Sequence, residues 1–122
     1  VKALDVGADA IIVSNHGGRQ LDQTSSTISM LPKIVEAVKG KSAIWLDGGI
    51  RSGQDILKAV ALGADNTLIG RAMSYGLAAN GISGCEKTLN ILHTELDMTM
   101  ALCGHKNLKE VDDSILKIEN DF

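Results

Sequence analysis

Ala10-Ile11-Ile12-Val13, followed at once by Ser14-Asn15-His16-Gly17-Gly18-Arg19, is the stretch that decides the fold class. Four continuously apolar residues, three of them β-branched, stand between Gly7 and Asp9 on one side and Asn15, Gly17 and Gly18 on the other. Such a run reads as a short parallel strand buried on both faces, stopped by a polar, glycine-rich loop. The same arrangement recurs downstream. Ala43-Ile44-Trp45-Leu46 stops at Asp47-Gly48-Gly49, and Thr67-Leu68-Ile69 stops at Gly70-Arg71.

Between the strands the apolar period changes from two to that of a helix. Ile28, Leu31, Ile34, Val35 and Val38 form one stripe, with Pro32 expected near the first turn, where its missing donor is tolerated. Ile56, Leu57, Ala59, Val60 and Leu62 form the next, opened by Ser52 and Asp55 at capping-box spacing and closed at Gly63. Beyond the third strand, Arg71 to Ala79 reads as a short helix. A longer one then carries Cys85, Leu89, Leu92, Leu96, Met100 and Cys103, with Ser83 and Glu86 expected to cap its start and Gly104 its end. A last amphipathic helix is expected from an Asn107–Glu110 capping box, with Leu108, Val111, Ile115 and Ile118 on its apolar face.

Strand, loop and helix, three times over, predict an α/β protein with a parallel sheet, either doubly wound or part of a (β/α)8 barrel. A complete barrel takes about 250 residues, and the chain has 122. Val1 to Gly7 reads as the last turns of a helix, and with half a barrel's length the chain is expected, if a barrel, to be the end of one. Three strands of a parallel sheet would expose two edges, which makes self-sufficient folding doubtful.

Composition narrows the function. The net charge is −3, and residues 83–122 hold four basic against eight acidic groups. That disfavours a polyanion partner, so no nucleic acid is expected. No apolar run approaches the roughly 20 residues of a membrane span. Cys85 and Cys103 lie 18 residues apart on one helical pattern, about 27 Å at a helix's rise, so free thiols and a reducing, cytoplasmic setting are expected.

In both parallel architectures the chemistry sits at the carboxyl ends of the strands. The first loop sets His16 and Arg19 three apart: a group that takes a proton near neutrality and a fixed fork that binds a carboxylate bidentately. An acid substrate is the sharper reading, with an ordinary loop histidine and an exposed arginine at even weight. The second loop, Asp47-Gly48-Gly49-Ile50-Arg51, and the third, Gly70-Arg71, each open a helix, and helix N-termini with two arginines suggest an anion site. No histidine has a partner at metal-ligand spacing, so no metal is expected.

With those residues in view, Ser14 to Asp22 (SNHGGRQLD) resembles the active-site signature of the FMN-dependent α-hydroxy-acid oxidases and dehydrogenases. Asp47 to Arg51, Gly63-Ala64-Asp65 and Gly70-Arg71-Ala72 resemble the same family's flavin-phosphate region, and Met98 to Gly104 with Leu108 to Val111 its C-terminal helices. The wording looks closest to bacterial respiratory L-lactate dehydrogenases, with mandelate dehydrogenases close behind. The resemblance implies strands six to eight of a (β/α)8 TIM barrel plus C-terminal helices, residues 1–122 being the C-terminal third of a single domain. It implies FMN as cofactor, held by Ser14, Asp47, Gly48, Gly49, Ile50, Arg51, Gly70 and Arg71. His16 would be the catalytic base, and His16 with Arg19 would bind a small L-2-hydroxy acid, L-lactate foremost. Its other expectations are a partner in the upstream part of the barrel, in the same or another chain, a homo-oligomer when complete, and a peripheral place on the inner face of the cell membrane. The family's substrate-contacting tyrosines, His-orienting Asp and flavin-touching Lys match no residue here; Tyr75 falls elsewhere. The competing expectation is therefore a truncated or split remnant, inactive alone.

Overall fold

The computed structural model describes residues 2–117. They form α1 (Lys2–Asp5), β1 (Ala10–Val13), a 3-10 turn (His16–Gly18), α2 (Thr27–Val38) and β2 (Ala43–Asp47). There follow α3 (Gly53–Ala61), β3 (Asn66–Leu68), α4 (Arg71–Leu102) and two closing 3-10 turns, Leu108–Glu110 and Asp113–Ile115. The strands make one parallel sheet in the order β1-β2-β3, with Ile11 opposite Ile44 and Leu46 between Val13 and Thr67. Parallel neighbours joined by a helix are the repeating unit of a (β/α)8 barrel, here as an unclosed sheet of three.

Val13, Ile44 and Leu46 pack with Leu31 and Val38 of α2 and Ala59 of α3 into the main core. The opposite face carries the register partners Ile12, Trp45 and Asn66. With its amide in the orientation that satisfies both neighbours, Asn66 accepts from Trp45 Nε1 at 3.2 Å. Ile12 is 54% exposed, which corrects the expectation of a strand buried on both faces: the helices cover one side of the sheet only.

The boundaries show which local signals decide. Ser26, whose hydroxyl accepts from Ser29 N, starts α2 at Thr27, so Pro32 sits in the second turn rather than the first. The predicted box at α3 is complete: Ser52 accepts from Asp55 N, and the Asp55 carboxylate accepts from Ser52 N. The third strand begins one residue early, at Asn66. α4 runs as two arms, because Asn80 and Gly81 leave helical φ/ψ. The predicted Ser83–Glu86 cap is replaced: the Ser83 hydroxyl donates to the Asn80 carbonyl and accepts from the Asn80 amide. The arms cross so closely that a Cβ on Gly84 would lie 1.8 Å from the Gly76 carbonyl oxygen.

The expected last helix is absent, and in its place stand the two 3-10 turns. Asn107 accepts from Lys109 N and Asp112 from Ser114 N, and such short-range bonds compete with helical ones. Ile118 lies outside the described residues. Leu108, Val111, Ile115 and Leu116 nevertheless pack with Leu57 and Ala61 of α3 and Leu96 and Met100 of α4, forming a second core. Cys85 and Cys103 are both free thiols. Among the described residues no helix is long and apolar enough to cross a membrane.

Candidate functional site

All three loops that follow the strands converge at one end of the sheet. His16, Arg19, Asp47, Gly48, Gly49, Ile50, Arg51, Gly70 and Arg71 line a single cavity of about 300 Å³ together with Gly17. Ser14 is the one predicted residue outside it. It lines the adjoining groove beside β1, which His16 shares.

Ser14 joins the first two loops. Its hydroxyl donates to Asp47 Oδ2 at 2.6 Å and accepts the backbone N–H of His16 at 3.1 Å. The bond across the strand ends is possible because Ser14 and Asp47 each extend the same face of paired strands. The one at His16 matters because His16 has φ +55, a left-handed conformation that costs a side-chain-bearing residue about 1 to 2 kcal/mol. Gly17 and Gly18 continue the left-handed path at φ +66 and +72. The loop thereby turns back over the sheet end and brings Arg71 Nη2 to 3.6 Å from the place a Gly17 Cβ would take.

The second loop has Gly48 and Gly49 at φ +103 and +86, values open to glycine at little cost. Nothing lies within 4 Å of a Cβ built on Gly49 or Gly70, so both glycines leave cavity space that a side chain would fill. The buried Ile50 side chain belongs to the main core, so it forms the cavity's wall. Arg19, Arg51 and Arg71 stand against one carboxylate, Asp47, already engaged by Ser14. The arrangement suits an anion of high charge density.

One part of the anion reading needs correction. The N-terminus of α3 is closed by the protein's own carboxylates. Asp55 Oδ2 accepts from Arg51 N at 3.0 Å and Ser52 N at 2.9 Å, and Glu95 Oε2 of α4 accepts from Gly53 N at 2.8 Å. The N-terminus of α4 is different: its capping residue is Gly70, with no side-chain cap, so its first-turn donors stay available beside Arg71. The helix start that leaves its donors free at the cavity is therefore the Gly70–Arg71 end.

Two contributors were not legible in the sequence. Glu95 reaches α3 from 42 residues away, a separation no local pattern encodes. Thr27, at 6% exposure the only buried polar residue among those described, donates to the Gly48 carbonyl at 3.2 Å. Its sole sequence trace is a second hydroxyl next to Ser26 where one cap suffices. Of the ionisable groups, Asp112 lies away from the cavity with its carboxyl held below the usual carboxylate range. The Ser114 hydroxyl is the main cause, then the Ser114 N–H, with the positive potential of His105 a smaller aid against slight desolvation. Among the described residues no His, Cys, Asp and Glu group is arranged to hold a metal.

Comparisons with known proteins identify the family. A family model described as FMN-dependent dehydrogenase matches residues 1–118. The peroxisomal (S)-2-hydroxyacid oxidase GLO3 of Arabidopsis thaliana is 46% identical over 121 residues, 99% of this chain and 33% of that protein. The L-lactate dehydrogenase of Vibrio cholerae is 48% identical over 116 residues, 94% of this chain and 31% of that one. Among solved structures, mandelate oxidase with benzoyl-formic acid superposes at TM-score 0.85 and 48% identity, covering 88% of this chain and 32% of that chain. The chain thus spans about a third of the length of the relatives it matches. Oxidases and the lactate dehydrogenase match it equally well, so identity singles out no subfamily.

Proposed function

Because the chain belongs to the FMN-dependent dehydrogenase family, we propose that its residues form the cofactor-phosphate and substrate-base end of a site oxidising L-2-hydroxy acids, and that the 122 residues alone are catalytically silent. The observation carrying this reading is the cavity that joins His16 and Arg19 to the Gly48–Gly49 and Gly70–Arg71 loops. Its silence alone is supported by the exposed inner face of the sheet around Ile12 and by the lack of any residue matching the family's substrate tyrosines, orienting Asp and flavin-touching Lys. We take residues 1–122 as the late portion of one domain, working with the upstream barrel in the same or another chain.

FMN, when bound, supplies the two-electron acceptor for the substrate's α-carbon. Arg71, the α4 N-terminus, Arg51 and Gly70 hold its phosphate, while Ser14, Asp47, Gly48 and Gly49 hold its ribityl chain against the Ile50 wall. Arg19 pairs bidentately with the substrate carboxylate and fixes the α-carbon's orientation. The neutral imidazole of His16 takes the α-hydroxyl proton as the carbonyl forms, and the charge it acquires is lost to solvent afterwards. The Ser14 bond to His16 N holds the backbone from which that ring projects.

L-lactate is the substrate we favour, on the wording of the first loop. A cytoplasmic location, peripheral to the inner membrane face, follows from the same reading and fits the free thiols. The exposed Ile82 and Leu102 of α4, at 79% and 86%, support self-association of the completed protein.

The test is a chimera in which this chain replaces the matching third of the V. cholerae L-lactate dehydrogenase. The chimera is expected to retain flavin and to reduce an artificial acceptor with L-lactate but not D-lactate, while the 122-residue chain shows no turnover. A folded, flavin-loaded chimera inert towards every L-2-hydroxy acid would refute the proposal.

A further inference from the structure

Thr27 is a buried hydroxyl that the reaction described above does not use, and burying a hydroxyl is unfavourable unless it is bonded. It is not needed to start its own helix, because Ser26 supplies that cap by accepting from Ser29 N. Its bond instead crosses to the Gly48 carbonyl, 21 residues away.

The peptide between Gly48 and Gly49 is planar and trans, so its C=O and N–H point in opposite directions. Holding the Gly48 carbonyl towards Thr27 therefore aims the Gly49 N–H away from Thr27. Gly48 sits close against Thr27 and Asn15: a Cβ there would lie 3.3 Å from Thr27 Oγ1 and 3.4 Å from Asn15 Oδ1. Asn15, the residue before His16, donates in turn to the Ser25 carbonyl at 3.5 Å. The segment 25–27 thus stands between the loop carrying the base and the loop carrying the glycine pair.

We propose that Thr27 is a positioning residue: its hydroxyl fixes the Gly48–Gly49 peptide so that the Gly49 N–H is presented to the ribityl chain of FMN. The proposal rests on the flavin reading of the cavity and adds to it a residue that faces away from the cofactor. Removing the hydroxyl frees the peptide to rotate without altering any group that touches the ligand.

The chimera described above provides the test, with flavin removed and FMN titrated back under fluorescence. Thr27→Val keeps the side chain's shape and loses the donor. It is expected to weaken FMN binding about tenfold, with the thermal midpoint of the flavin-free protein unchanged within a few degrees. Thr27→Ser keeps the donor and is expected to bind within about twofold of the parent. Thr27→Ala provides a second loss of the donor should the valine not fold. FMN binding by either donorless variant equal to that of the parent would overturn the role of Thr27, and so would a serine variant as weak as the valine. A parent chimera that folds but takes up no FMN would overturn the flavin reading itself and Thr27's role with it.

Discussion

Arg71→Ala separates the anion end of the cavity from the rest of it. Arg71 opens α4 directly after Gly70, at a helix start with no side-chain cap, and its Nη2 reaches the first loop at Gly17. In the proposed site a phosphate there would receive one guanidinium fork and the first-turn donors together, whereas at α3 the N–H groups of Arg51, Ser52 and Gly53 are already taken by Asp55 and Glu95. Each hydrogen bond to a charged group is worth about 1.5 to 3 kcal/mol. Loss of even one such bond should therefore weaken FMN binding by about ten- to 150-fold, at 1.4 kcal/mol per tenfold. Riboflavin has the same ring and ribityl chain without the phosphate. Titrating both ligands into the flavin-free chimera isolates the effect: FMN affinity should fall by that factor and riboflavin affinity by less than about twofold. An equal loss for both ligands, or none for either, would refute placing the phosphate at α4.

Arg19→Lys in the chimera should lower kcat/KM for L-lactate by at least about 100-fold, because an ammonium cannot reproduce the two-pronged fork; steady-state rates with flavin occupancy held equal measure it. Gly53→Ala should destabilise the protein by about 1 to 3 kcal/mol or more in urea unfolding, since its Cβ would fall 2.0 Å from Leu96 N and 2.4 Å from the Glu95 carbonyl carbon. Asp112 supplies a pH effect. A carboxylate whose pKa is lowered on folding stabilises the folded state above its ordinary range and loses that contribution as pH falls through the lowered value. Amide exchange of Ser114 should accordingly stay protected at neutral pH, lose protection only on strong acidification, and lose this dependence in Asp112→Asn.

What the sequence made legible is what short range encodes. β1 and β2 follow from unbroken β-branched runs, α3 from Ser52 and Asp55 three residues apart, and the division of α4 from the separate helical patterns on either side of Ala79. The loops could be paired into one site because strand ends of a parallel sheet share a side. The closing helix was misread because Leu108, Val111 and Ile115 have helical spacing, while Asn107 and Asp112 divert the backbone into 3-10 turns. α3's N-terminus was misread as an anion site because its occupant, Glu95, comes from another helix. Thr27 escaped notice for the same reason: its partner is distant, and a threonine after a serine looks like a redundant cap.

The crossing of the two arms of α4 bears on the order in which the chain acquires structure. Gly76 and Gly84 meet across an eight-residue separation, so the contact closes a short loop and needs no strand. Pairing β1 with β2, by contrast, first requires the intervening helix to be brought round, with Ile11 and Ile44 33 residues apart. Loop-closure entropy and contact order both favour the nearer contact. The helical hairpin is then expected to form first, a wall onto which α3 docks through Gly53. Valine at position 84 should slow refolding of the protein as well as weaken it, whereas a core truncation in β1, such as Val13→Ala, should act mainly on the unfolding rate.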